Sequence, residues 1–138
     1  MILVDLNVAL DVFQARDPHY AASAAVLDRI VSKQVEACVS AHAVTTIHYL
    51  VGRYRSSQAA DEAVDWLIRY FHVASVGREQ LIRARSLGWG DFEDAVVAAA
   101  AESAGCTLIV SRNIKDFFES PVPALMPEEC LATFGDLT

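Results

Sequence analysis

Short apolar runs alternate with helix-period stretches along this chain, and that alternation narrows its fold more than any single residue does. Ile2-Leu3-Val4, the segment Glu36 to Ser40 around Cys38-Val39, and Cys106 to Val110 are brief and almost wholly apolar, as buried strands are. His72-Val73-Ala74-Ser75 and Ala124-Leu125-Met126 supply two weaker strand candidates. Between these runs the spacing predicts helices over Asn7 to Gln14, Pro18 to Ser32, the Ile47-Leu50-Val51-Tyr54 stripe, Gln58 to Phe71, Gly77 to Leu87 and Asp91 to Ala104, with a last one starting at Pro127-Glu128. Strands that alternate with helices pair in parallel through right-handed crossovers. The expected fold is α/β: a compact parallel sheet of about five strands with helices on both faces, formed by residues 1–138 as one domain.

Composition removes several alternatives. The hydrophobic fraction of 54% is spread along the chain, which argues for one packed core and against disorder. No uninterrupted apolar stretch reaches the roughly 18 residues of a spanning helix, and no basic region precedes a secretory block, so a cytoplasmic protein with no membrane role is expected. Cys38, Cys106 and Cys130 are widely spaced, two of them in strand-like runs, and form no metal-binding pattern; buried thiols are expected. A formal charge of −7 speaks against a broad phosphate-neutralising surface but leaves room for a local basic strip.

The chemistry concentrates where strands end. Asp5 closes the first apolar run, at the carboxyl edge where ligand sites of open α/β sheets lie. Asp91-Phe92-Glu93-Asp94 opens the alanine-rich helix; Asp91 and Asp94 share a face and Glu93 is expected to point elsewhere. Helix capping explains Asp91 and Asp94 equally well. Ser111-Arg112-Asn113-Ile114-Lys115-Asp116 leaves the Cys106 to Val110 strand at the same edge as Asp5. In a doubly wound sheet the first and fourth strands are often neighbours, which would bring Asp5, Asp94 and Asp116 together. Converging carboxylates suit Mg²⁺ or Mn²⁺ and the hydrolysis of phosphate esters.

Leu3-Val4-Asp5-Leu6-Asn7, Asp91-Phe92-Glu93-Asp94-Ala95, Ile109 to Phe117 and the ending Val122-Pro123 to Glu129 resemble, in this order, the signature blocks of PIN-domain proteins, and in particular the small bacterial branch with VapC-type toxins. The resemblance implies a metal-dependent endoribonuclease cutting RNA, often a homodimer held in check by an antitoxin. It makes Asp5, Asp91, Asp94 and Asp116 the catalytic candidates, with Asp5, Asp94 and Asp116 on the metal. Asn7, Ser111, Arg112, Asn113 and Lys115 beside them become the candidate substrate contacts. Two positions depart from the family pattern: Thr46 stands where a Glu is common, and Asn113 where a fourth Asp is frequent, with Asp116 the plausible replacement.

Smaller signals complete the reading. His48, near Thr46, is expected to be a partly buried structural histidine or else a ligand. His19, His42 and His72 carry no spacing signal. Trp66 is expected in the core, and Trp89, between Gly88 and Gly90, is expected beside the cleft with base stacking open to it. The rival to a nuclease is a catalytically weak or inactive PIN-fold module that binds RNA or protein. A phosphorylatable receiver domain would need an acceptor Asp after the third strand, and His72 to Gly77 holds none.

Overall fold

The structure, a computed structural model, describes residues 1–134. Five strands, β1 (Ile2–Val4), β2 (Ala37–Ser40), β3 (His72–Ala74), β4 (Leu108–Val110) and β5 (Ala124–Leu125), form one parallel sheet in the order β3-β2-β1-β4-β5. Among the described residues seven helices accompany them: α1 (Leu6–Phe13), α2 (Tyr20–Val31), α3 (Ala41–Tyr54), α4 (Ser57–Tyr70), α5 (Arg78–Leu87), α6 (Phe92–Ser103) and α7 (Pro127–Phe134). A 3-10 turn, Ile114–Phe117, follows β4.

Strands this short hold because both faces are covered. Alternation sends Ile2, Val4, Val39 and Val110 into one core with Val8, Val26, Ile47 and Leu67 of α1 to α4, while Leu3, Cys38 and Ile109 meet Val97, Ala98 and Ala101 of α6 on the other face. The alanines of α6 leave room for α5, whose Ala84 packs on Ala95, Val96 and Ala99. From β1 the chain builds outward through β2 and β3, then returns to β4 on the opposite side of β1. The reversal opens a crevice between β1 and β4 at the carboxyl edge.

Two expectations about local structure need correction. The segment around Cys106 is not strand: Gly105, at φ 76°, and Cys106 close α6 by donating to Glu102 O (3.1 Å) and Ala101 O (2.9 Å). These are the two bonds of a Schellman end, so β4 starts only at Leu108. Cys106 thereby lies with its Sγ 3.3 Å from that of Cys38 of β2. The second helix starts at Tyr20, after a turn in which Tyr20 N–H donates to Arg16 O (2.8 Å). Among the described residues no helix is long and apolar enough to cross a membrane.

Candidate active site

Asp5 is placed by the sheet itself. Its backbone N–H donates to Val110 O (2.9 Å), and its own side chain caps α1, Oδ1 accepting from Leu6 N–H at 2.8 Å. Ser111, the first residue past β4, donates its hydroxyl to Asp5 Oδ2 at 2.8 Å. Both carboxylate oxygens are thus held, and the residue is only 5% exposed. Burial pushes the Asp5 carboxyl above its usual range; the Ser111 and Leu6 donors pull it back, and the charges of Glu93 and Asp91 add to the rise.

A second set of acids enters from α6. Asp91 is its N-cap, Oδ1 accepting from Asp94 N–H at 3.1 Å, so the capping reading of this residue holds in geometry. Asp94, 9% exposed, is pushed up to about 7, first by burial, then by the charges of Asp91, Asp5 and Asp116 and a hydrogen bond from its own protonated form to Asp91. Asp116 reaches the group from the 3-10 turn and is itself exposed. Three separate stretches of chain therefore bring like charges to bear on one carboxyl group. Glu93 is exposed; its charge adds to the rise of the Asp5 carboxyl and opposes the lowering that burial imposes on the half-buried imidazole of His42 at the start of α3.

A family model described as "PIN domain" matches residues 1–115. The chain belongs to the PIN-domain family. Comparison with curated proteins gives no match. Among solved structures it is similar to a toxin-antitoxin complex from Klebsiella pneumoniae, with a TM-score of 0.71 at 19% identity over 92% of this chain and 98% of that one. DNA-bound VapBC from Salmonella typhimurium gives 0.70 at 15% identity, covering 91% and 97%. Mycobacterium tuberculosis VapC20, described as a sarcin-ricin loop cleaving toxin, gives 0.66 at 18% identity, covering 79% and 87%. Identities this low establish a shared PIN fold.

The remaining candidates divide between partners and bystanders. Asn7 lies over the same hub, its Nδ2 3.5 Å from Ser111 Oγ and its Oδ1 accepting from Arg112 N–H at 3.4 Å. Asn113 N–H donates to Ser111 Oγ at 3.1 Å. Arg112, expected at the substrate, is turned inward: its Nε lies 2.7 Å from Oδ2 of Asp11, which is 0% exposed and also accepts from Ser23 Oγ at 3.1 Å. A fully buried carboxylate needs a cation, and this one claims the guanidinium that the local sequence seemed to offer to phosphate. Lys115 remains exposed.

On the PIN positions that lack an acid, Thr46 spends its hydroxyl within α3 on His42 O (3.2 Å). His48 is neither buried nor near the acids; it is exposed, with Nε2 2.8 Å from Asp61 Oδ1 of α4. The residues that sequence reasoning passed over are Asp11, Ser40, His42 and Glu93. Asp11 carried one signal, an acid inside the apolar run Val8 to Phe13; Ser40, His42 and Glu93 carried none, since their importance comes from which strand and helix ends meet.

The donor set suits a hard divalent cation, being all carboxylate oxygen and mutually repelling. Among the described residues no three His, Cys, Asp or Glu side chains stand close enough to cage an ion. The set therefore fits a cation that keeps much of its water and takes one or two carboxylates directly.

Proposed function

We propose that this PIN-domain protein is a Mg²⁺- or Mn²⁺-dependent endoribonuclease, the toxin of a toxin-antitoxin pair, and that it works in the cytoplasm as a homodimer. The observation that carries the reading is the gathering of acids from three element ends: buried Asp5 after β1, Asp91 and buried Asp94 at the start of α6, and Asp116 of the 3-10 turn. Burial and then their mutual repulsion raise the Asp94 carboxyl, and a divalent cation would relieve that repulsion. Asp5, Asp94 and Asp116 would hold that ion, one or two of them directly and the rest through its water, and when bound it would offset charge on the scissile phosphate and make a water molecule a better nucleophile. Ser111 and Leu6 N–H keep Asp5 in one orientation. Asp91, tied by Oδ1 to the helix start, offers its second oxygen to orient water. Asn7, Asn113 and Lys115 contact the RNA backbone, while Ser111, which is 0% exposed and not free for substrate, and Arg112 hold the loop that carries Asn113 and Lys115. Solved relatives that are complexes with antitoxins support the partner.

Cleavage of RNA in the presence of Mn²⁺ tests the reading directly. Asp5→Asn should lower the rate by more than ~100-fold, because even groups that merely orient metal ligands are worth about 10–100-fold. Equal cleavage by both proteins would discard the metal role of Asp5.

A second reading, an inactive PIN module that binds RNA or protein, draws on Thr46 and Asn113, neither of which brings a charge. Calorimetric titration separates the two. No uptake of Mg²⁺ or Mn²⁺ at millimolar concentration would favour the binding module.

A further inference from the structure

Beside the acids, at the mouth of the crevice, lies a cavity of about 350 Å³ walled by Trp89, Asp91, Lys115, Asp116, Phe118 and Glu119. That volume is at the lower end of the ~300–1,000 Å³ range of small-ligand pockets. Two aromatic side chains form its apolar part. Trp89 is fixed: its ring meets Phe117 edge to face at a centroid separation of 5.9 Å, and Phe117 is buried. Phe118, the next residue, is 88% exposed, the most solvated large apolar side chain among the described residues. Leaving a phenyl ring in water costs apolar burial that the adjacent Phe117 obtains in full. Packing explains the first ring and leaves the second without a structural purpose.

The polar wall is equally specific. Lys115 is a cation next to the acids, placed for a phosphate. Glu119 is exposed, and among the described residues no side chain or backbone group hydrogen-bonds to its carboxylate or pairs with it. A carboxylate only accepts, through two oxygens side by side. Of the four RNA bases, guanine alone presents two adjacent donors on its pairing edge, N1–H and N2–H. The corresponding edges of adenine, cytosine and uracil each put an acceptor beside the donor, which a carboxylate repels.

We propose that this cavity is a nucleobase subsite which takes an unpaired guanine next to the scissile bond, stacked against Phe118 and Trp89, with its pairing edge on Glu119 and its phosphate on Lys115. The proposal rests on the ribonuclease reading and narrows it to single-stranded RNA, since the base must leave its stack and its pair to enter.

The test uses the fluorescence of Trp89 in the full chain carrying Trp66→Phe, which leaves Trp89 as the sole indole. Titration with 5′-GMP, 5′-AMP, 5′-CMP and 5′-UMP is expected to give saturable quenching that is strongest and tightest for GMP. Phe118→Ala should weaken GMP binding on the order of tenfold, as loss of one base-aromatic stack does. Glu119→Gln should bring the affinity for GMP down to that for AMP while leaving stacking in place. Both side chains are exposed, so both variants should melt like the parent. Quenching that is absent, equal for all four nucleotides, or indifferent to Phe118→Ala would overturn the subsite. Failure of the two hypotheses is separable: RNA cleavage unaffected by Phe118→Ala and Glu119→Gln removes the subsite and keeps the nuclease, whereas GMP-selective quenching without any RNA cleavage keeps the subsite and removes the nuclease.

Discussion

The two flanks of Asp5 are built by opposite rules. On the β4 side Ser111 Oγ bridges Asp5 Oδ2 and Asn113 N–H, Asn7 lies over it, and Arg112 runs inward to Asp11. On the β2 side Ser40 and His42 contribute a hydroxyl oxygen and two ring nitrogens that are buried without a hydrogen-bond partner. The pairings Leu3 with Cys38, carried two residues on, and Val4 with Val110, carried one on, set Ser40 and Ser111 on either side of Asp5, facing α6. Two serines in equivalent places thus have opposite circumstances. Asp11 Oδ1 and Arg112 Nε are also buried without a hydrogen-bond partner, so the flanks differ at the serines: Ser111 is bonded to Asp5 and to Asn113 N–H, whereas Ser40 keeps unmet hydrogen-bonding capacity of the kind that water or a ligand meets.

The largest effect expected from this contrast is at Arg112. Arg112→Ala leaves the fully buried Asp11 charge without its cation and should destabilise the protein by about 3–5 kcal/mol, measured by denaturant unfolding. Asp11→Asn added to that variant should restore part of the loss. A loss no larger than that of a surface arginine would show that the guanidinium does not anchor the β4 flank.

Next comes Ser111→Ala, which strips a donor from buried Asp5 and an acceptor from Asn113 N–H, for a cost of about 1–3 kcal/mol. Cleavage should fall about 10–100-fold with it, as for other groups that orient a ligand. Ser40→Ala removes a hydroxyl with no protein partner and should be neutral or slightly stabilising. Matching losses at the two serines would erase the distinction between the flanks.

Between these in subtlety, though smaller in size, is the pH dependence centred on Asp94. Its carboxyl is held up to about 7 in the folded protein, against 3.8 as the ordinary value. Between pH 4 and 7 the unfolded chain gives up this proton and the folded one keeps it. Stability from this group is therefore fully present below about pH 4, falls as pH rises, and is lost above about pH 7. Screened by solvent at the open side of the crevice, the effect should be about 1–2 kcal/mol. Asp94→Asn should flatten the profile and raise the melting temperature at pH 8. Mg²⁺ should raise it more at pH 8 than at pH 5 in the parent protein, and a Mg²⁺ response independent of pH would detach the ion from Asp94.

Much of the architecture was readable from local pattern. The apolar strand runs of β1 and β2 and the Asp91 cap on α6 each depend on neighbours a few residues away, and appear where the pattern puts them. The errors have one physical origin. Cys106 looks like strand because Schellman bonds to Ala101 and Glu102 do not show in a run of side-chain types. Arg112 looks like a phosphate ligand because Asp11 lies 101 positions earlier, and the charge contact exists only once α1 packs beside the β4 exit. His48 was misassigned for the same reason, since Asp61 on α4 decides where that side chain is held.

The chain's own order of residue types already specified a parallel α/β fold and put Asp5, Asp91, Asp94 and Asp116 at strand and helix ends, because periodicity and element ends are local properties. Packing decided what those acids feel. Desolvation and the approach of remote charges depend on which helix covers which strand end. They raise Asp94, sequester Arg112 on Asp11, and leave Ser40 and His42 unpaired beside a serine that is fully employed.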